Sequence, residues 1–275
     1  MGFLMKTKII FIDLDGTLLG TDRKVSERNL AALYKVGESA IIRVIATGRS
    51  LFSFRKAIRE DFPIDYLIFS SGAGVMDWST KELIYEEHLT TEQTAFATDL
   101  LLAEEADFMI QAAIPDNHYF LYYGKGDGNP DFHSRIAVYE KYAELLKLPW
   151  KAEKSSQLLA VLPKGKEGDY EMLKAKLPDL KVIRATSPLD GESAWIEIFP
   201  AHVSKGHTAQ WLCDFLQIGN EASLAIGNDY NDYDMLEWAK RSLVVQNAPQ
   251  KLLEKYEVIP SNDEDGVAFI LEGLN

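Results

Sequence analysis

The sequence predicts an α/β fold, a doubly wound (Rossmann-like) parallel-sheet core with an inserted α+β cap domain. Three observations carry this reading. Short β-branched apolar runs alternate with helical segments from the N-terminus to about residue 85. Each run ends in acidic, glycine or hydroxyl residues, as buried parallel strands do where they feed loops. The same rhythm stops in the middle of the chain and resumes near residue 190.

The elements follow in order. Lys8–Leu14 is the first buried strand and runs into Asp13-Leu14-Asp15-Gly16-Thr17. Ser26 is placed to cap a helix through Leu30, Leu33 and Tyr34 that ends near Gly37. Ile41–Ala46 is a second strand, closing in Thr47-Gly48-Arg49; a helix through Phe54 and Ile58 follows and Pro63 stops it. Tyr66–Phe69 is a third strand, ending in Ser70-Ser71-Gly72. From 86 to 189 the pattern is mixed. Helices are expected over Glu92–Glu105, Phe132–Leu146 and Asp169–Lys176. Short strands are expected at Phe108–Ile110, Tyr119–Tyr123, Gln157–Leu162 and Lys181–Arg184, with a loop at Gly124–Pro130. Beyond 190, Ala194–Phe199 reads as a core strand, Ser204 as the cap of a helix to Leu216, and Ser223–Ile226 as a strand ending in Gly227-Asn228-Asp229. The helix Asp232–Lys240 and the strand Leu243–Val245 close the series. The domains therefore read 1–85 and 190–275 for the core and 86–189 for the insert.

Composition bounds the partners. The 275 residues, 47% hydrophobic and 26% charged, suit a packed globular chain of two domains. A net charge of −13 argues against nucleic acid and against anionic membranes, so an anionic ligand needs local positive charge at its site. The single cysteine, Cys213, excludes an intrachain disulfide and reads as a core thiol. Met1–Lys6 carries no leader or myristoylation pattern, and no apolar stretch approaches the roughly 20 residues that span a bilayer. The expected location is the cytoplasm.

Four strand-end segments carry chemistry. In Asp13-Leu14-Asp15-Gly16-Thr17 the first carboxylate is suited to attack phosphorus. The second is suited to protonate a leaving oxygen and then to activate water. Thr47-Gly48 offers a hydroxyl and free N–H groups at a helix start, which suits a phosphate oxygen. Lys205 adds an ammonium at another helix start. Gly227-Asn228-Asp229-Tyr230-Asn231-Asp232 clusters hard oxygen donors of the kind Mg²⁺ takes. In a doubly wound sheet all four meet at the carboxyl rim, where together they form a phosphoryl-transfer set.

The order DLDGT, ATGR, SKG, GNDYND resembles the haloacid dehalogenase-like (HAD) hydrolase superfamily, and within it the Cof-like sugar-phosphatase subgroup with a large inserted cap. The resemblance spans essentially the whole chain. It implies a Mg²⁺-dependent phosphatase acting on a small phosphorylated metabolite, in class a sugar phosphate, through an aspartyl-phosphate. Asp13 would be the nucleophile and Asp15 the acid/base; Thr47, Gly48, Lys205 and Asn231 would hold the phosphoryl group. The Mg²⁺ ligands would come from Asp13, Asp15 (through its carbonyl), Asn228 and Asp232. Two positions depart from the family pattern: Asn228 stands where an aspartate is usual, and Ser71-Gly72-Ala73 where Asn-Gly-Ala is usual. A phosphosugar mutase of the same superfamily and a non-catalytic phosphosugar-binding module are the alternatives. The second would be expected to lack Asp13, Asp15 or Lys205, and all three are present. Specificity is expected from the insert, with Asp116, Asn117, His118, Tyr122 and Tyr123 as candidates.

Overall fold

The computed structural model describes residues 7–126, 128–165, 168–187 and 189–274. Met1–Lys6, read above for a leader, and Asp127 of the glycine-rich loop lie outside them. The described strands, in chain order, are β1 Ile9–Asp13, β2 Ile42–Ala46, β3 Tyr66–Phe69, β4 Gly74–Asp77, β5 Leu83–Glu86, β6 Phe108–Gln111, β7 Phe120–Tyr123, β8 Ala143–Leu145, β9 Leu158–Leu162, β10 Leu180–Thr186, β11 Ala194–Pro200, β12 Ser223–Gly227, β13 Arg241–Val245 and β14 Glu257–Ile259. The helices are α1 Glu27–Glu38, α2 Leu51–Ala57, α3 Thr91–Ala103, α4 Pro130–Val138, α5 Asp169–Lys176, α6 Lys205–Phe215, α7 Tyr233–Trp238, α8 Gln250–Leu253 and α9 Gly266–Leu271. The chain divides into two compact units, one of residues 1–49, 53–85 and 204–275, the other of 50–52 and 86–203.

The first unit holds an eight-stranded sheet in the order β14-β13-β12-β1-β2-β3-β4-β5. The pairs joining β14, β13, β12, β1, β2 and β3 are parallel, and β4 turns back antiparallel to β3. β1 is central and fully buried, so its run Ile-Ile-Phe-Ile needs no polar face. Ile9 and Phe11 pack with Ala209 and Leu212 of α6 and Met235 and Leu236 of α7. Ser26 caps α1 by accepting from Asn29 N, and Asn29 Oδ1 in turn accepts from Ala268 N of α9 at 2.8 Å. The register sets Asp13 beside Ala46 of β2 and Ile12 beside Ile226 of β12. The loops after β1, β2 and β12 therefore leave the sheet at one level.

The second unit holds a six-stranded sheet in the order β10-β11-β9-β6-β7-β8. One of its faces buries Phe108, Ile110, Leu158, Ala160 and Ile196 with Ala97 and Leu101 of α3 and Leu173 of α5; the other buries Met109, Leu159, Val161 and Trp195 with Phe132 of α4.

Two expectations change. Ala194–Phe199 does not resume the core sheet: β11 lies antiparallel between β10 and β9, so the second unit runs to Val203 rather than 189. A mid-sheet strand covered on both faces is as continuously apolar as a parallel core strand, and only pairing distinguishes them. The helix expected over Phe132–Leu146 ends at Val138; a 3₁₀ turn at Glu140–Tyr142 follows, and then β8, parallel to β7. Strands β4, β5 and β14 have no counterpart in the sequence reading.

Candidate active site

β1 ends on Asp13, which is buried in the sheet's centre. Its Oδ1 accepts a hydrogen bond from the Lys205 ammonium at 2.6 Å, and the same ammonium donates to Asp232 Oδ1 at 2.6 Å. A longer contact, 3.5 Å, reaches Asn231 Oδ1. Lys205 is the first residue of α6, whose N-cap Ser204 accepts from His207 N. A helix N-terminus repels a cation, and Lys205 is 0% exposed, so its charge survives only through its two carboxylates. Burial pulls its pKa down, but Asp13 and Asp232 outweigh that and hold the ammonium above its usual range. Burial first, then the charge of Asp232, push the Asp13 carboxyl up to about 7 against the opposing pull of Lys205.

The loop after β12 is wound around Asp232. Its Oδ2 accepts from the backbone N–H groups of Asn228 at 2.8 Å and Asp229 at 3.0 Å, and a Cβ on Gly227 would stand 2.7 Å from the carboxylate. Both oxygens of Asp232 are thus engaged, one by the ammonium and one by the loop. Asn228 is carried over the β1 loop: Thr17 Oγ1 donates to Asn228 Oδ1 at 3.2 Å. Gly16 lies beneath it with φ +78°, where a Cβ would come within 2.4 Å of the Asn228 amide nitrogen. Asn247, two residues beyond β13, donates to the Gly16 carbonyl at 2.8 Å.

Thr47 is fully buried one residue past the partner of Asp13 in β2. Its N–H donates to Ile68 O, its carbonyl accepts from Ser71 N, and its hydroxyl oxygen accepts from Arg49 N at 3.1 Å. Gly48 follows it, partly buried. Arg49 reaches Asp15 with both arms of its fork, Nε to Oδ2 at 2.7 Å and Nη2 to Oδ1 at 2.5 Å.

The structure thus joins Asp13, Lys205, Asn231 and Asp232 by direct contacts, brings Asn228 onto the Asp13–Thr17 loop, and sets Thr47 and Gly48 on the adjacent strand end. The Arg49 clamp on Asp15, the Thr17 hydroxyl and Asn247 were not among the sequence candidates. Asn247 could have been found by the rule that located the others, since it too follows a parallel strand. Of the specificity candidates, Tyr123 packs on Phe108 and Tyr122 on Phe132, both as part of the second unit's core, while the His118 ring lies between Tyr119 and Tyr142.

The residues present suit a hard cation. Asp13 Oδ2 is buried with no hydrogen-bond partner, an acceptor that a cation would satisfy. Asn228 adds a neutral amide oxygen over the loop that follows β1, where it accepts from Thr17. Among the described residues no three His, Cys, Asp or Glu side chains cluster as a metal cage.

A strand-end carboxylate, a buried lysine paired to it and a glycine-braced acidic loop thus meet at the end of the central strand. The family model of haloacid dehalogenase-like hydrolases matches residues 10–271, and the chain belongs to that family. A Bacillus subtilis relative, the 5-amino-6-(5-phospho-D-ribitylamino)uracil phosphatase YwtE, is 27% identical over 288 residues, covering 97% of this chain and 98% of the relative. Among solved structures, the HAD phosphatase BT1666 of Bacteroides thetaiotaomicron matches with a TM-score of 0.78 at 20% identity over 99% of this chain and 96% of that one. The HAD subclass IIB sugar phosphatase BT4131 matches with a TM-score of 0.78 at 17% identity over 98% and 100%.

Proposed function

We propose that this phosphatase is Mg²⁺-dependent and hydrolyses a small phosphorylated metabolite, in class a sugar phosphate, through an aspartyl-phosphate on Asp13. The observation that carries the proposal is the Asp13 carboxylate itself, with one oxygen on the Lys205 ammonium and the other buried without a partner. In the first step a carboxylate oxygen of Asp13 bonds to phosphorus, the ester P–O bond breaks, and protonated Asp15 gives its proton to the leaving oxygen. In the second, Asp15 takes a proton from water as the water oxygen attacks phosphorus; phosphate leaves and Asp13 is restored. Thr47, Gly48, Lys205 and Asn231 hold the phosphoryl oxygens. Asp13, the Asp15 carbonyl and Asn228 would hold a Mg²⁺, which would supply charge neutralisation; Asp232, expected from the sequence as a further ligand, has one oxygen on Lys205 and the other on the backbone of its loop and orients both. The ribityl phosphate in the name of the Bacillus subtilis relative, a sugar-derived ester, supports the substrate class. No helix among the described residues is long and apolar enough to cross a membrane. Release of inorganic phosphate from a panel of sugar phosphates tests the reading; a mutase would conserve the ester phosphate and move it along the sugar.

The cation is checked by titration. Excess chelator should abolish turnover and Mg²⁺ should restore it. Asn228→Ala should raise the Mg²⁺ requirement markedly, Asn228→Asp should leave it equal or lower, and Asp229→Ala should have the smaller effect of the two alanine changes. Full turnover in chelator would refute metal dependence, and a larger effect from Asp229→Ala would move the contact to that residue.

The Arg49 clamp makes a separate prediction. A guanidinium fork fixes both oxygens of Asp15, and neither a lysine nor an amide reproduces two parallel bonds. Arg49→Gln and Arg49→Lys should slow a simple alkyl phosphate by about 10²-fold, the low end of what a general acid contributes. 4-Nitrophenyl phosphate, whose leaving group needs no proton, should be slowed less. Equal losses on both esters would place Arg49 on the phosphoryl group instead.

A further inference from the structure

The loop that follows β1 is fixed from two sides. Its own backbone closes a first turn, with Leu18 N and Leu19 N both donating to Leu14 O, and Gly20 N donating to Lys24 O. Two of the loop's carbonyls, on Gly16 and Leu19, are taken instead by side chains 231 and 243 positions further along the chain. Asn247 Nδ2 donates to Gly16 O at 2.8 Å, and Asn262 Nδ2 donates to Leu19 O at 2.9 Å. The two asparagines are themselves joined, since Asn262 N donates to Asn247 Oδ1 at 3.1 Å. Asn262 opens the 3₁₀ turn Asn262–Glu264, and the Asp263 carboxylate of that turn accepts from Thr21 N at 2.8 Å and Thr21 Oγ1 at 3.2 Å. The segments after β13 and β14 thus grip the loop at Gly16, Leu19 and Thr21, all within the first unit.

Gly16 is where such a grip matters. With φ +78° and the Asn228 amide nitrogen 2.4 Å from where a Cβ would stand, only glycine fits there. The same missing Cβ leaves its backbone free to rotate, and that rotation sets how Asp15 stands relative to Thr17. The Asn247 bond holds the Gly16 carbonyl and takes that freedom back. Arg49 holds the Asp15 carboxylate independently. The turn carrying Asp13 and Asp15 is therefore fixed at a side chain by Arg49 and at the backbone by Asn247. Asn247 is exposed, and bonds made at the surface add little to a fold. A displacement of about 1 Å at a reacting group, by contrast, can cost about 10²-fold in rate. The weight of this carboxamide falls on turnover.

We propose that Asn247 is a positioning residue: with Asn262 it holds Gly16 in one setting and thereby aims the Asp13–Asp15 turn. The consequence for turnover rests on the reaction proposed at Asp13 and Asp15; the fixed setting of the loop does not.

The test is hydrogen–deuterium exchange read by mass spectrometry, with 4-nitrophenyl phosphate kinetics, on full-length Asn247→Leu and Asn262→Leu. Leucine keeps the size of the side chain, removes the carboxamide bonds and adds no charge to the rim. In Asn247→Leu the amides of Leu18, Leu19 and Gly20 should exchange about tenfold faster, the scale of one or two lost bonds, while α1 keeps its protection and the melting temperature changes little. In the same variant kcat should fall about tenfold with KM within about twofold of wild type, since a misaimed turn still binds the ester. Asn262→Leu should loosen the same amides and lower kcat less, because the Asn247 bond to Gly16 remains. Unchanged exchange at Leu18–Gly20, exchange that rises equally in α1, or unchanged kcat in Asn247→Leu would each overturn the proposal. So would a higher KM at constant kcat, which would place Asn247 on the substrate. A wild-type protein that releases no phosphate from the ester would overturn the reaction at Asp13, and the exchange result would then decide the setting of the loop by itself.

Discussion

Asp13→Asn is expected to lower phosphate release by at least about 10³-fold, the scale on which removing a covalent nucleophile acts, while raising the thermal stability of the Mg²⁺-free protein. The two effects have one cause. Asp13 and Asp232 share a single buried ammonium, and burial together with the Asp232 charge lifts the Asp13 carboxyl to about 7. The folded protein therefore holds that proton more tightly than the unfolded chain, whose carboxyl titrates near its ordinary value of 3.8. For a group whose folded pKa is raised, stability is lost as pH climbs from the unfolded pKa to the folded one, and the deficit is constant above it. The melting temperature of the variant should thus exceed that of the wild type most at pH 8. The gap should shrink toward pH 4 and also on adding Mg²⁺, which favours the ionised wild-type carboxylate. A variant less stable than wild type at pH 8 without Mg²⁺ would show that the Lys205 contact outweighs the crowding. Near-normal phosphate release would defeat the assignment of Asp13.

Lys205→Met is expected to be the most destabilising single change in the site. It deletes the cation bonded to two buried carboxylates, at 2.6 Å each, and leaves both without that counter-charge. Breaking a buried charge arrangement from one side costs about 3–5 kcal/mol, read as a fall in the urea midpoint at unchanged slope. Adding Asp13→Asn to Lys205→Met removes one of the stranded charges and should regain much of that loss without regaining turnover. The double-mutant cycle then separates what the ammonium does for the fold from what it does for the phosphoryl group. Additive stability effects in the cycle would show that the two side chains are not coupled.

The rim of the site was legible because a parallel sheet imposes it. Asp13, Thr47 and Asn228 each follow an apolar run that reads as a buried strand, and the parallel register brings such strand ends to one level whatever the intervening chain does. Lys205 was legible through the Ser204 cap. Pairings across the rim were not legible. Arg49 is 34 positions from Asp15, and nothing local distinguishes a guanidinium aimed at phosphate from one that clamps a carboxylate. Nor did composition reveal that both oxygens of Asp232 are engaged, one by Lys205 and one by the backbone of its own loop.

The second unit shows the other limit. Ala194–Pro200 is buried throughout, and its run of apolar residues fits a parallel core strand as well as the antiparallel mid-sheet strand that it forms between β10 and β9. Hydrophobic period reports burial of faces, and both environments bury both faces. The sequence alone determined the α/β class, the existence of an insert and the chemical character of the strand ends, because these depend on local alternation and turn residues. Tertiary structure decided where the insert ends, which side chain answers each charge at the rim and which carboxamides hold the loop after β1, because each depends on partners far apart in the chain whose meeting is set by strand order and packing.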